Sequence, residues 1–355
     1  MHSGLPVKDP IELEEKRAFV DVESAIKKSP KKEIETSQTI KTGDVIRSLT
    51  NVYHVDKVLG SGSFGTVVLC RIEGTDELVA IKFMTKEKDA KYEVKVLQYL
   101  KHRDSSQKFV TKVIECFTCS KYFCIVYELL DRTLFDLLKD RHWIPLTVSE
   151  IRPIAKQLLE MLGFLKQIGV THTDIKPDNI MLVNHESQPF RVKLIDFGLA
   201  HRTQKLSEYH LMQAVKYRAP EIHLGTPRDE SLDLWSLGYT LAFLFLGRTL
   251  DGWQADTFFT LDKSGPEHFW RLKTPEEYEQ ATGQKIKKSH SIYDKLHSLD
   301  DLTNLIPANA GQTEVKDFNA FLDLLKQMLC VNPADRILPA AGLEHIIYCQ
   351  MHRKS

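Results

Sequence analysis

The sequence HTDIKPDN at residues 172–179 lies between a predicted helix and a short apolar strand, so we interpret it as a loop on a rigid base. Within it, Asp174 can accept the proton of an attacking hydroxyl group, and Lys176 can neutralise negative charge on a phosphoryl group that is being transferred. Asn179 can bind a metal ion through its side-chain oxygen. The stretch therefore predicts a catalytic loop.

A second motif, Asp-Phe-Gly at residues 196–198, follows the apolar strand predicted at 192–195. Asp196 is placed to hold a magnesium ion that bridges phosphate groups, and Gly198 gives the backbone freedom at a mobile segment. Two further motifs come later, APE at 219–221 and DLWSLG at 233–238.

Upstream, GSGSFGTV at residues 60–67 contains the spacing G-x-G-x-x-G. In dinucleotide-binding folds a helix follows these glycines, whereas here a β-branched run follows, which is typical of a strand. The glycines then cap a hairpin and let backbone N–H groups approach phosphates closely. A hairpin turn without a ligand is the alternative reading of this motif alone.

Lys82 ends the string VAIK at residues 79–82, on a strand of otherwise apolar residues, so its charge needs a partner. The helix predicted at 88–100 offers one, because Glu93, Leu97 and Leu100 share a face that the leucines mark as buried. We predict that Lys82 and Glu93 form a buried ion pair. The alternative is two unrelated surface charges.

The order of predicted elements indicates an α+β fold with two lobes. Strands are predicted at residues 53–59, 66–71, 78–83, 109–117 and 122–129, around the helix at 88–100. The rest is mainly helical, including a helix that Thr147 and Glu150 begin as a capping box. We expect an N-terminal antiparallel β lobe with one main helix, and a larger helical C-terminal lobe.

These elements give the following domain prediction. Residues 1–50 are a flexible N-terminal extension, 51–348 form one domain with lobes at about 51–128 and 129–348, and 349–355 are a short tail.

Composition excludes several function classes. Lysine plus arginine and aspartate plus glutamate each number 48, so no net charge points to nucleic acid or membrane. The six cysteines are scattered, which favours reduced thiols in an intracellular protein. We predict residence in the nucleus or the cytoplasm. The basic cluster at residues 27–32 fits a nuclear-import signal or a solvated run of charge.

Taken together and in this order, the motifs match the signature of eukaryotic protein kinases. The resemblance covers residues 53–347, and within the kinases the chain resembles the CMGC group and its homeodomain-interacting protein kinases. This closer likeness rests on KPDNIMLV at 176–183, RVKLIDFG at 191–198, YRAPE at 217–221 and WRLKTPEE at 270–277. In the last string, Thr274 is predicted to cap a helix that starts at Pro275.

The resemblance implies an ATP- and magnesium-dependent protein kinase. Asp174 is then the catalytic base, assisted by Lys176; Lys82 holds the α- and β-phosphates and pairs with Glu93; Asn179 and Asp196 bind magnesium. The implied nucleotide-binding positions are Leu59, Gly60, Gly62, Gly65, Val67, Ala80, Lys82, Glu128, Leu130 and Met181, with Tyr127 as the gatekeeper beside the adenine site.

The resemblance also implies structural roles and a preference for acceptors. Glu221 is expected to pair with Arg336, and Asp233 to brace the catalytic loop. Lys176 is typical of serine/threonine kinases, and Arg218 resembles the arginine connected with acceptance of a proline after the target residue.

The chain departs from its relatives at several positions. Thr173 stands where many kinases have arginine, Leu211 aligns with the tyrosine of the family's activation segment, and Val215 replaces a nearby arginine. We therefore expect activity that does not depend on phosphorylation of this segment, with Leu211 packed inward. Tyr209 is the second candidate acceptor of a phosphate, with Lys205, Lys216 and Arg218 as partners. The stretch 248–269 is shorter than in the family, so a substrate-docking helix is expected to be reduced or missing.

The motifs are compatible with three functions. The favoured one is a serine/threonine kinase, with tyrosine autophosphorylation left open; the others are a nucleotide-binding pseudokinase scaffold and a non-kinase nucleotide-binding enzyme, which the strand after Gly65 disfavours. The expected partners are protein substrates, with transcription regulators among them by resemblance. We expect a monomer that binds neither nucleic acid nor membranes.

Overall fold

The structure is a computed structural model that describes residues 26–28, 39–62, 65–103, 108–209, 212–247, 259–262, 269–272, 277, 280, 298–306 and 309–351. The chain divides into two units, residues 1–131 with 193–198 and residues 132–192 with 199–355. Residues 193–198 belong to the first unit because the Leu194 backbone hydrogen-bonds to Phe109 (2.9 Å) and Thr111 (3.3 Å).

The first unit contains one sheet and one long helix. The strands are β1 (Ile26–Lys28), β2 (Val45–Arg47), β3 (Val52–Gly62), β4 (Gly65–Ile72), β5 (Leu78–Met84), β6 (Val113–Cys119) and β7 (Tyr122–Glu128), and the helix α1 spans Glu87–Arg103. The strand order is β1-β6-β7-β5-β4-β3-β2. Neighbours are antiparallel except β1 and β6, which are parallel.

The two faces of this sheet differ in character. Val68, Ile81 and Val126 are fully buried in one apolar cluster. Strand side chains alternate between faces, so Val67, Ala80 and Lys82 lie on the opposite face. The register pairs Val67 with Lys82 and Ala80 with Tyr127, which places these four side chains on the same face.

Two sequence predictions are wrong in this unit. The extension predicted as flexible contributes β1 and β2, and Ile40 and Ile46 pack into the apolar cluster because the sheet would otherwise leave that face open to water. The strand predicted at 109–117 begins later, at Val113, because Val110 pairs with Leu194 instead. β1 can be parallel to β6 because a long stretch of chain separates them, whereas a tight turn joins only antiparallel strands.

The second unit is mainly helical. Its helices are α2 (Leu134–Asp140), α3 (Val148–Gln167), α4 (Pro220–Leu224), α5 (Ser231–Leu246), α6 (Gln312–Met328) and α7 (Pro339–Met351). Its short strands are β8 (Val170–Thr171), β9 (Ile180–Asn184), β10 (Gln188–Leu194), β11 (His201–Arg202), β12 (Phe259–Asp262) and β13 (Phe269–Leu272). They pair as β9 with β10, β8 with β11 and β12 with β13. The last two residues of β10 belong to the first unit.

Local signals in the sequence account for the start and the burial of the central helices. The capping box of Thr147 and Glu150 begins α3 as predicted. The apolar run 237–247 lies in α5, which is buried along almost its whole length. Gly238 allows α5 to lie close to α6, since a Cβ atom there would come within 2.9 Å of the Met328 Cβ. Among the described residues, no helix combines the length and the apolar character needed to cross a membrane.

A buried ion pair joins α4 to the segment before α7, as predicted. The guanidinium of Arg336 donates to both carboxylate oxygens of Glu221 (2.7 and 2.9 Å), and both side chains are inaccessible to water. Arg336 also donates to the Ser231 carbonyl oxygen (2.9 Å). These bonds fix the end of the activation segment, which precedes α4, to the helical unit.

Some predictions fall on residues that the structure does not describe. Thr274 and Pro275 are among them, as is Leu211. In the short stretch 248–269, the described residues form β12 and the start of β13.

Candidate active site

Lys82 projects from β5 and is almost fully buried. Its ammonium group donates to Glu93 Oε2 of α1 (2.7 Å) and to Asp196 Oδ1 (3.1 Å). Burial by itself would lower the pKa of Lys82, but the two carboxylates outweigh it and raise that pKa. The predicted ion pair is present, and Lys82 carries a positive charge beside Asp196.

Glu93 has a second partner that the sequence did not predict. The Tyr127 hydroxyl donates to Glu93 Oε1 (2.7 Å) from β7. Burial raises the pKa of Glu93, while Lys82 and the Tyr127 hydroxyl act in the opposite direction. Burial and the nearby Glu93 also raise the pKa of Tyr127 well above its usual value, so the phenol stays protonated and serves as a donor.

The glycine-rich motif forms a hairpin between β3 and β4, as predicted. Gly60 pairs with Val67 and Gly62 with Gly65. Gly65 has φ +125°, and a Cβ atom there would lie 2.1 Å from the Phe83 carbonyl oxygen. Only glycine can occupy this position, because any side chain would strike the neighbouring strand.

The end of β7 is held by contacts at Glu128. Its carboxylate accepts hydrogen bonds from the Lys193 ammonium (2.5 Å) and the Lys112 backbone N–H (2.6 Å). The Glu128 backbone N–H donates to the Lys112 carbonyl oxygen (3.0 Å). Lys193 thus connects this end of the sheet to the chain that leads into Asp196.

The predicted catalytic loop in the second unit surrounds Asp174, which is buried. The Lys176 ammonium (2.7 Å) and the Asn179 side-chain amide (2.8 Å) both donate to Asp174 Oδ2. Asn179 also donates to the Asp174 carbonyl oxygen (2.9 Å). The amide nitrogen of Asn179 therefore bonds within the loop. Its other polar atom, Asn179 Oδ1, is the one that suits a hard metal cation.

Asp233 on α5 holds this loop through hydrogen bonds to its backbone, as the resemblance implied. Its carboxylate accepts the backbone N–H groups of His172 (2.6 Å) and Thr173 (2.9 Å). Burial raises the pKa of Asp233 to about 7, against the effect of the two backbone donors. Thr173 adopts φ +63°, which is strained for a β-branched residue, and its hydroxyl donates to the Leu199 carbonyl oxygen (2.5 Å).

The activation segment is fixed by Gln213, which the sequence did not single out. Its amide nitrogen donates to the Leu232 carbonyl oxygen and to Ser236 Oγ (both 2.8 Å), and its oxygen accepts the Ala219 N–H (2.8 Å). Gln213 is buried and also has a positive φ of +63°. Arg218 holds the same turn, donating to the carbonyl oxygens of Met212 (2.9 Å) and Gln213 (3.0 Å).

Tyr209 has contacts other than those predicted for a phosphate acceptor. Its ring stacks on His201, with centroids 3.6 Å apart, and Arg228 donates to its carbonyl oxygen. Arg218, expected as a partner of a phosphate on Tyr209, is instead bonded to the two carbonyl groups just described.

Comparison with known proteins agrees with this arrangement. Residues 53–347 match the family described as protein kinase domain. The chain belongs to the protein kinase family. Its fold and the span predicted for it are confirmed, and a protein kinase domain implies the use of ATP and a divalent metal ion.

Relatives support the predicted subfamily likeness. Homeodomain-interacting protein kinase 2 of Mesocricetus auratus is 36% identical over 344 residues, covering 87% of this chain and 29% of that protein. Homeodomain-interacting protein kinase 1 of Caenorhabditis elegans is 36% identical, covering 89% and 42%. Homeodomain-interacting protein kinase 4 of Homo sapiens is 32% identical, covering 84% and 55%. The chain thus spans between 29% and 55% of the length of these relatives.

The remaining predicted nucleotide-binding residues of the kinase divide between the units. Leu59, Val67, Ala80, Glu128 and Leu130 lie in the first, and Met181 lies in the second. Val67 and Ala80 share the face that carries Lys82, and Met181 pairs with Thr133.

We predict that Lys82→Met and Glu93→Gln will each lower kcat/KM for ATP by on the order of 10²-fold. Lys82→Met leaves the Glu93 carboxylate buried without a cation, and Glu93→Gln leaves the Lys82 ammonium with Asp196 as its carboxylate partner, which changes its direction. The double variant should lose little more than either single one, since both remove the same interaction. Steady-state kinetics on the four proteins measures this coupling.

Arg71→Met serves as the control in the same unit, since its pair with Asp56 (2.9 Å) is largely exposed. It should leave kcat/KM unchanged. Fully additive losses from the Lys82 and Glu93 substitutions would count against the pairing.

Proposed function

We propose that this chain is an ATP- and magnesium-dependent protein kinase that transfers the γ-phosphate of ATP to serine and threonine hydroxyl groups of proteins. The observation that carries the proposal is the set of hydrogen bonds to the carboxylate of Asp174. Lys176 and Asn179 both donate to Asp174 Oδ2. We therefore assign Asp174 Oδ1 as the oxygen that receives the proton of the acceptor hydroxyl. A pseudokinase scaffold would not need this arrangement, and the relatives' names give that alternative no support.

Lys82 supplies positive charge for the α- and β-phosphates. Its raised pKa keeps it protonated at neutral pH, and Glu93 fixes the direction of its side chain. The glycines of the β3–β4 hairpin offer backbone N–H groups to the phosphates. The Glu128 N–H is already bonded to Lys112, so we assign the Glu128 carbonyl oxygen and the Leu130 N–H to the adenine edge.

We assign magnesium binding to Asn179 and Asp196 from the family resemblance, because each offers a side-chain oxygen, the ligand type that this ion prefers. When bound, the ion supplies charge neutralisation at the phosphates. Lys176 stays close to Asp174 and is proposed to neutralise charge on the transferring group.

The turn at Gln213 determines which residue is preferred after the serine or threonine that receives the phosphate. Arg218 donates to the carbonyl oxygens of Met212 and Gln213. These two oxygens are therefore not available to accept a hydrogen bond from a backbone N–H of an incoming substrate. A proline after the target residue has no N–H to satisfy, and therefore loses no hydrogen bond there. This favours substrates in which proline follows the serine or threonine.

The proposal extends to regulation and partners. The contacts of Gln213, Thr173 and Asp233 support an activation segment and a catalytic loop that need no added phosphate. The names of the relatives point to transcription regulators of the homeodomain class as protein partners, for a monomeric enzyme in the nucleus or the cytoplasm. Tyrosine autophosphorylation and these partners remain predictions.

Asp174→Asn should lower kcat by on the order of 10²–10⁴-fold and leave ATP affinity nearly unchanged, because the amide cannot accept the proton but keeps the shape of the loop. A radiolabelled phosphate-transfer assay with purified protein measures the turnover. Asp196→Asn is the matched comparison and should weaken magnesium-dependent ATP binding as well as turnover. Unchanged turnover in Asp174→Asn would overturn the assignment of the base.

Peptide arrays should show transfer to serine and threonine, with proline accepted at the following position. Arg218→Met should reduce transfer to the proline-containing peptides relative to those without proline, because it frees the two carbonyl groups. Dominance of tyrosine peptides, or loss of transfer whenever proline follows, would contradict the predicted specificity.

A further inference from the structure

The hydroxyl of Tyr127 is bonded to the carboxylate that orients Lys82. Tyr127 Oη lies 2.7 Å from Glu93 Oε1, and Lys82 Nζ lies 2.7 Å from Glu93 Oε2. Each oxygen of this carboxylate thus has its own donor, and the two donors come from different strands.

Both partners are shielded from water. Glu93 is 1% exposed and Tyr127 is 9% exposed. Among the described residues, Lys82 and Tyr127 are the side chains that donate to the Glu93 carboxylate. Loss of the Tyr127 hydroxyl would leave Oε1 buried without a donor, and an unsatisfied buried acceptor favours any movement that reaches water.

The strand that carries Tyr127 makes it a rigid donor. β7 lies between β5 and β6, and Tyr127 is paired with Ala80 on one side and Val113 on the other. Glu93 projects from the helix α1, which the sheet hydrogen bonds do not include. The Tyr127 hydroxyl therefore fixes a carboxylate on the helix relative to the sheet.

Lys82 depends on this geometry, because its ammonium lies between Glu93 and Asp196. A carboxylate held at one oxygen can rotate about its terminal bond, whereas one held at both oxygens cannot. A rotated Glu93 would release the ammonium toward Asp196, away from the position that suits a diphosphate.

We propose that Tyr127 is a positioning residue, whose hydroxyl holds Glu93 so that Lys82 is aligned to bind the phosphates of a nucleotide. This rests on the proposed function, in which Lys82 contacts the α- and β-phosphates. It gives Tyr127 a role in affinity for the diphosphate, beyond the steric role of a gatekeeper beside adenine.

The test uses the full chain and magnesium ADP, which carries both phosphates and is not turned over. Titration calorimetry compares wild type with Tyr127→Phe, which removes only the hydroxyl. We expect the Kd for magnesium ADP to rise by about 5- to 30-fold. Tyr122→Phe is the control, since it lies on the same strand and packs against Phe83 (ring centroids 5.7 Å apart); it should change the Kd by less than about twofold.

A second comparison separates positioning from general stability. In a Lys82→Met background, Tyr127→Phe should have no further effect on the Kd, because its action passes through Lys82. An equal rise in both backgrounds would overturn the proposal. So would a Tyr127→Phe protein with a lower melting temperature but an unchanged Kd, since that result assigns the hydroxyl a structural role only.

Failure of this proposal can be told apart from failure of the proposed function. Binding of magnesium ADP requires no phosphate transfer. A wild-type chain that binds the nucleotide but transfers no phosphate would refute the proposed activity, and the Tyr127 comparison would still decide whether the hydroxyl positions Lys82.

Discussion

A charged ammonium group on an apolar strand is the constraint on which the first unit of this molecule depends. Lys82 is buried, and an isolated buried charge costs several kcal/mol in a protein interior. Its compensation comes from Glu93 on α1 and from Asp196. The helix and the segment 193–198 must therefore pack against the sheet for Lys82 to be charged and buried. Tyr127 satisfies the remaining oxygen of Glu93, and Lys193 ties the same segment to Glu128. The contacts that compensate the charge of Lys82 therefore also hold α1 and the segment 193–198 against the sheet.

Buried polar side chains have the same role in the helical unit. Asp233 holds two backbone N–H groups of the catalytic loop, and Gln213 uses three hydrogen bonds to fix the activation segment to α5 and its surroundings. Thr173 and Gln213 both have positive φ, a conformation that costs on the order of 1–3 kcal/mol per residue and persists only where neighbours enforce it. The hydroxyl of Thr173 bonds to Leu199, at a position where many kinases have an arginine. The contact at position 173 is therefore a neutral hydrogen bond.

The sequence predicted features that depend on local spacing. The glycine hairpin, the buried face of Glu93 and the cap at Thr147 each follow from residues a few positions apart, and all three are present. The resemblance supplied two contacts between distant residues, the Glu221–Arg336 pair and the bonds from Asp233 to the loop, but other long-range contacts were missed. Gln213 gave no motif, because its partners Leu232 and Ser236 are fixed only by the fold. The bond from Tyr127 to Glu93 joins residues 34 positions apart, and the burial of Ile40 and Ile46 depends on which sheet face remained uncovered. Contacts between residues a few positions apart were thus predictable from spacing, whereas long-range partners were predictable only where the resemblance supplied them.

The account holds that the catalytic centre is assembled by buried contacts among unmodified side chains. The most direct measurement is the rate of phosphate transfer by the purified chain after phosphatase treatment, with mass spectrometry to verify that no phosphate remains. Tyr209→Phe is assayed beside it, since Tyr209 is a candidate acceptor in the activation segment. The account predicts that both retain the rate of the untreated wild type to within about threefold. Loss of most of the activity in either sample would show that a phosphate orders the activation segment, and would contradict the account.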